Sequence, residues 1–222
     1  MLYHLQAVKD NLRNRDGKRV FYLSDTDRLT SEARDYLAHH RIEILPASQA
    51  RPNRYQLLGG GYLEEKPESM THLNGDILVS KAHPRIAFRG AMDTLEAEIL
   101  LCQWHVPQWK EELEQVLGCA RRLLACEVLD EPYLADTLCG MTPEDLRSHS
   151  HRPQDFYGQP HFMPTVSDGE SILHLNRVRC AVRTAERKAV EAIAEREDIL
   201  QAINRMSSML YILMIREKAK TR

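Results

Sequence analysis

Arg179, Arg183 and Glu186 stand four and three positions apart in "RCAVRTAER", residues 179–187. On an α-helix they fall within about 60° of one another, so two guanidiniums and a carboxylate share one face. Planar guanidiniums one turn apart can fork together onto a phosphate chain. The carboxylate can orient one of them, hold a magnesium ion or accept from a ribose hydroxyl. Spacing alone equally describes a solvated helical ion pair contributing roughly 0.2–0.5 kcal/mol.

Three other stretches carry chemistry-bearing residues. In "LVSKAHPRIAFRGAMDTLEAEIL", residues 78–100, Lys81 and Arg85 flank the start of a helix whose unpaired N–H groups favour anions. Gly90 inside that pattern costs about 1 kcal/mol relative to alanine, which suits a close approach, and Asp93 follows one turn later. Asn204, Ser207 and Ser208 form a polar patch on a helix otherwise carrying Leu200, Ile203, Leu210, Leu213 and Met214. The loop "SHSHRPQDFYGQPHFMP" gathers His149, His151 and His161 with Phe156, Tyr157 and Phe162. Its H-x-H spacing beside Asp155 is an incomplete zinc ligand set, whereas its aromatics suit a flat apolar ligand. Each group also has a plain alternative: solvated basic residues, a satisfied core asparagine, an ordinary connection.

The elements that must position these residues are mostly helical. Over 1–48 the strand-like "KRVFYL", a Thr/Ser-capped "TDRLTSEARDYLAHH" and a short "IEILP" predict a small α/β appendage. Residues 49–77, opening "QARPNRYQLLGGGYLEEKPESM", are expected as a loop or linker because glycine and proline punctuate them. Residues 78–222 predict an antiparallel bundle of about five helices: from Pro84 to about 104, 107–129, one short helix within 141–169, and then 170–196 and 198–217.

Bulk properties narrow the function. The chain has 222 residues, 43% hydrophobic and 28% charged, with net charge −2. That balance argues against a nucleic-acid binder working by phosphate neutralisation. No apolar run approaches the roughly 20 residues of a membrane helix, and no secretory h-region opens the sequence, so a cytoplasmic protein is expected. Five cysteines without C-x-x-C spacing imply reduced thiols.

In this order the pieces resemble the cobalamin adenosyltransferases. The 78–100 segment is similar to that superfamily's lysine–x3–arginine entry into its first bundle helix, with glycine and then aspartate. "RCAVRTAER" resembles its arginine–x3–arginine–x2–glutamate helix, and "INRMSSMLYIL" its asparagine–arginine–x–serine helix. "THL", the "RLTSEARDYL" beginning and the loop running from "SHRP" to "SDG" are similar to the ethanolamine-utilization type. The propanediol-utilization type shares the bundle motifs but not the N-terminal unit. Some ethanolamine-type members carry a His-x11-Cys-Cys-x-x-Cys metal motif in the segment matching 49–70. Here that segment holds neither cysteine nor histidine, which leaves no soft ligand for a thiolate metal site.

The resemblance implies transfer of the 5′-deoxyadenosyl group of ATP to the cobalt of a corrinoid such as cobalamin. Lys81 and Arg85 would then grip the phosphates, Arg179 and Glu186 would bind ATP, and Asn204 would contact the nucleotide. Asp93 and Arg183 would pair between subunits, and Phe156, Tyr157 and Phe162 would be the corrinoid-facing candidates. Mg²⁺ would be held through the ATP phosphates, with Glu186 as a further ligand and no protein cysteine or histidine. A homo-oligomer is implied, a trimer first and a dimer second, with a corrinoid-reductase flavoprotein as partner and a bacterial microcompartment as one location. The competing reading is a non-catalytic corrinoid- or nucleotide-binding scaffold of such a compartment.

Overall fold

The computed structural model describes residues 1–15, 18–50, 55–134 and 137–220. Two compact units divide the chain, Met1–His83 and Pro84–Arg222.

The first unit is α/β. It runs β1 (Leu2–Tyr3), α1 (Leu5–Asp10), β2 (Arg13–Arg15), β3 (Lys18–Leu23), β4 (Arg28–Leu29), α2 (Ser31–His39), β5 (Glu43–Pro46), β6 (Tyr55–Leu57), β7 (Tyr62–Leu63), β8 (Met70–Asn74) and β9 (Ile77–Ser80). Seven strands form one sheet in the order β5-β3-β2-β7-β6-β9-β8, and β1 pairs with β4 in a parallel ribbon. Thr30 caps α2 by accepting from the Ala33 amide at 3.3 Å, as the Thr/Ser signal predicts. Val8, Phe21, Ala33, Leu37 and Ile42 make the small core.

Residues 49–77 differ from the expected linker. Their described part contributes β6, β7 and β8 to the sheet, while 51–54 lie outside the described residues. Gly60 and Gly61 adopt φ of 91° and 88°, conformations that suit glycine and let β6 turn into β7. Strands of two or three residues are too short for alternation to betray them. The helical unit accordingly begins at Pro84 rather than 78, because 78–80 belong to β9.

The second unit comprises α3 (Pro84–His105), α4 (Lys110–Leu129), α5 (Pro143–His151), α6 (Pro153–Tyr157), α7 (Glu170–Ala192) and α8 (Glu197–Lys220). Among the described residues this makes six helices where about five were expected, because the short element of 141–169 breaks at Arg152, ahead of Pro153. Apolar positions recur at three- and four-residue steps, as Phe88, Met92, Leu95 and Ile99 on α3 and Leu175, Val178, Val182, Ala185 and Ala189 on α7. All are buried in one core with the inner faces of α4 and α8. Each fully buried Leu, Ile or Phe contributes roughly 1.5–3 kcal/mol relative to exposure. Ala185 and Ala189, both fully buried, let neighbouring helices approach closely. α7 stops at Ala192 instead of 196, where Ile193 turns to φ −147°, ψ 46°. Among the described residues no helix is long and apolar enough to cross a membrane. All five cysteines are free, and burial pushes the Cys102 thiol up to about 12.

Candidate functional site

A cavity of about 640 Å³ opens beside α7 and α8 under the segment that follows α6. α7 supplies Asn176 and Arg179, and α8 supplies Asn204, Ser207, Ser208 and Tyr211. The 161–164 segment closes one side with His161, Phe162, Met163 and Pro164. Helical spacing places Asn176 and Arg179 three apart on one face of α7, and 204, 207, 208 and 211 on one face of α8. The core residues of both helices lie on other faces, so packing leaves these polar groups lining the opening.

Arg179 is the charged centre of the cavity. Its Nε atom is buried and has no hydrogen-bond partner among the described residues. The guanidinium carbon lies 5.1 Å from the centre of the Tyr211 ring, a cation–π contact. A buried donor left unmade costs about 1–3 kcal/mol, so the site is poised to accept an anion or a carbonyl oxygen. Tyr211 also ties down the wall: its hydroxyl accepts from the Phe162 amide at 3.3 Å and lies 3.0 Å from His161 Nδ1. His161 Nε2 sits 3.1 Å from the His151 carbonyl. A carbonyl only accepts, so in the neutral ring Nε2 carries the proton and Nδ1 accepts from Tyr211. Lys218 stands 5.8 Å from the Phe162 ring and pairs with Asp168, whose carboxyl is held below the usual range chiefly by that contact.

Beside the cavity, Asn204 Nδ2 donates to Glu186 Oε1 at 3.1 Å. Asn204 and Glu186, named from different motifs, therefore meet across α7 and α8. Hard oxygen ligands of this kind fit a hydrated magnesium ion held mainly through phosphates.

The other named residues lie elsewhere. Arg183, one turn beyond Arg179, is exposed, as is Asp93 on α3, and neither has an ion-pair or hydrogen-bond partner among the described residues. Arg85 is not at the cavity: its Nε pairs with the buried Glu127 carboxylate of α4, and its Nη2 donates to the Glu127 carbonyl at 2.8 Å. Arg89 Nε joins the same carboxylate at 2.7 Å. Two guanidiniums therefore converge on one buried carboxylate at the start of α3. Lys81, exposed in the first unit, donates its backbone N–H to the Ser69 carbonyl at 2.9 Å.

Of the three aromatic candidates only Phe162 lines the cavity. Phe156 and Tyr157, on α6, instead engage His149, which stacks on Phe156 with centroids 3.7 Å apart and lies 2.8 Å from the Tyr157 hydroxyl. That contact draws His149 away from any common point with His151 and Asp155, and among the described residues those three form no metal-ligand group.

Sequence reasoning missed Tyr211, Asn176 and the closing roles of His151 and His161. Tyr211 lies in "MLYILMI", an apolar run in which an aromatic looks like core. It also missed a second cluster, in which His105, Glu170 and His174 place their ligand atoms within 4.8 Å of one another. Glu170 and His174 are spaced i, i+4, which was legible, but His105 lies 65 residues upstream of Glu170.

A model of the cobalamin adenosyltransferase family matches residues 61–217. Over 235 residues the chain is 28% identical to the corrinoid adenosyltransferase EutT of Salmonella typhimurium, covering 92% of this chain and 88% of that protein. The EutT of Escherichia coli K12 is 32% identical over 158 residues, 68% of this chain and 59% of that protein. The corrinoid adenosyltransferase PduO of Citrobacter freundii is 29% identical, over 61% of this chain and 43% of its own length.

Proposed function

The chain belongs to the cobalamin adenosyltransferase family, and from that premise we propose that it is an ATP:corrinoid adenosyltransferase working at a site completed between subunits. The observation that carries the reading is Arg179, which lines a 640 Å³ cavity with Asn204, Ser207 and Phe162 and whose buried Nε has no hydrogen-bond partner among the described residues. A cavity of this size suits a nucleotide-scale group.

In the reaction the reduced cobalt of the corrinoid attacks C5′ of ATP, a Co–C bond forms, and the C5′–O bond breaks with its electron pair leaving on the phosphate chain. The reactive metal belongs to the substrate, so the protein positions and stabilises charge. Negative charge grows on the departing phosphates, and donors already in place for it lower the barrier most. Arg179 supplies one such donor group, and Lys81 and Arg85 of a second copy would be further phosphate-binding groups, Arg85 being held by Glu127. Asn204 contacts the nucleotide, and Glu186, whose Oε1 accepts from Asn204, orients it and is available to Mg²⁺ on the phosphates. Mg²⁺ supplies neutralisation of phosphate charge when bound. Phe162 would be the apolar residue that displaces the corrinoid's lower base, a loss that would ease reduction of the cobalt.

Asp93 and Arg183 are the proposed intersubunit pair. On α3, Leu100 (48% exposed) and Trp104 (83% exposed) continue the face that carries Asp93, a stripe suited to burial against a second copy. A trimer is the first expectation and a dimer the second, in a cytoplasmic protein supplied by a corrinoid reductase.

Mixing the chain with ATP, Mg²⁺ and chemically reduced corrinoid should give the visible spectrum of a light-sensitive Co–C bond. Tight binding of both substrates without that spectrum would replace the enzyme with a scaffold.

A further inference from the structure

Away from the cavity, the last residue of α3 and the first turn of α7 meet. His105 Nδ1 lies 2.8 Å from Glu170 Oε1, and His174 Nε2 lies 3.5 Å from the same oxygen. The two imidazoles stack with centroids 4.2 Å apart and planes 10° from parallel. Imidazole binds metals through a ring nitrogen, and both rings offer one on the Glu170 side. Each ligand atom lies within 4.8 Å of the other two. Positions 170 and 174 face α3, on the side of α7 away from Asn176 and Arg179, so this cluster is separate from the cavity.

We propose that His105, Glu170 and His174 form a site for a divalent first-row transition ion, with Zn²⁺ as the reference occupant. Two imidazole nitrogens and one carboxylate oxygen suit zinc, nickel or cobalt, and waters complete the shell. Bond lengths of about 2.0–2.2 Å require the three ligand atoms to stand roughly 3–3.5 Å apart. The Glu170 contacts already span 2.8 and 3.5 Å, and one ring turns about its Cβ–Cγ bond to converge. His105 and Glu170 are largely at the surface, so that turn disturbs no core packing. The ion clips the end of α3 to the start of α7, a cross-link between residues 65 apart in sequence. It forms only in the folded chain, so binding the ion stabilises that chain.

The test uses the full chain, stripped with a chelator and titrated with Zn²⁺ by calorimetry and with Co²⁺ by visible absorption. One equivalent should bind, raise the melting midpoint by several degrees and give cobalt bands without thiolate charge transfer. His105→Ala and His174→Ala should each weaken Zn²⁺ binding at least tenfold and remove the midpoint shift, Glu170→Gln should weaken it less, and His39→Ala should leave it unchanged. Absence of one-equivalent binding, cobalt bands carrying thiolate charge transfer, or equal affinity in the histidine variants would each overturn the site. None of these readouts involves turnover, so failure here leaves the adenosyltransferase reading standing, and the converse holds.

Discussion

Two arginine sites in the helical unit are built in opposite ways. At the start of α3, Arg85 and Arg89 both pair with Glu127, a carboxylate only 1% exposed. On α7, Arg179 has a buried Nε with no partner among the described residues, and its guanidinium lies over the Tyr211 ring. The first arrangement spends its hydrogen bonds on the fold and fixes the guanidiniums in place. The second withholds a donor that folding could have satisfied. A donor left unmade at a cost is a better sign of a ligand than a donor that is merely positive.

The largest effect should come from removing the carboxylate. Glu127→Ala removes the buried carboxylate that both guanidiniums contact and should lose about 3–5 kcal/mol in denaturant unfolding. Little change in unfolding midpoint would mean the two sites do not differ as described. Arg179→Ala should do the reverse. We expect a roughly 10²–10³-fold fall in kcat/KM with stability within about 1 kcal/mol of the parent, and partial recovery in Arg179→Lys. Matching losses of stability at both arginines would erase the distinction.

Arg183, one turn from Arg179, extends the comparison across a subunit boundary. Asp93→Arg should shift the assembly toward monomer in light scattering and lower activity, and the double variant Asp93→Arg with Arg183→Asp should restore part of both. Failure of the double variant to recover either would break the proposed pair.

The smallest effect concerns an arginine committed like Arg85. Arg196 holds the Asp198 carboxyl well below the usual carboxylate range, and Asp198 also accepts from the Tyr133 amide at 2.7 Å. A depressed folded pKa contributes stability above the unfolded value of about 3.9 and loses it as pH falls. Asp198→Asn should therefore cost up to about 1 kcal/mol near pH 7, with the difference shrinking below about pH 4. A pH-independent difference would assign the effect to packing instead.

Much of this was legible beforehand. The 3.6-residue rhythm gave the four long helices to within a few residues; that Arg179, Asn204 and Phe162, named from separate stretches, line one cavity was not legible. Short strands within 49–77 were not legible, because two paired residues gain their partners from remote sequence. Nor was the fate of Arg85 legible, since Glu127 lies 42 residues away.

By itself the sequence determined which faces of α3, α4, α7 and α8 are apolar, and hence that they bundle, because helical periodicity is a local property. It also determined family membership, through motifs held in order along the chain. Only the tertiary structure decided which guanidinium is satisfied and which is left open, that Phe162 rather than Phe156 or Tyr157 lines the cavity, and that His105 meets Glu170 and His174. Each of these depends on contacts between residues dozens of positions apart, and hydrogen-bond satisfaction exists only after the chain has closed those distances.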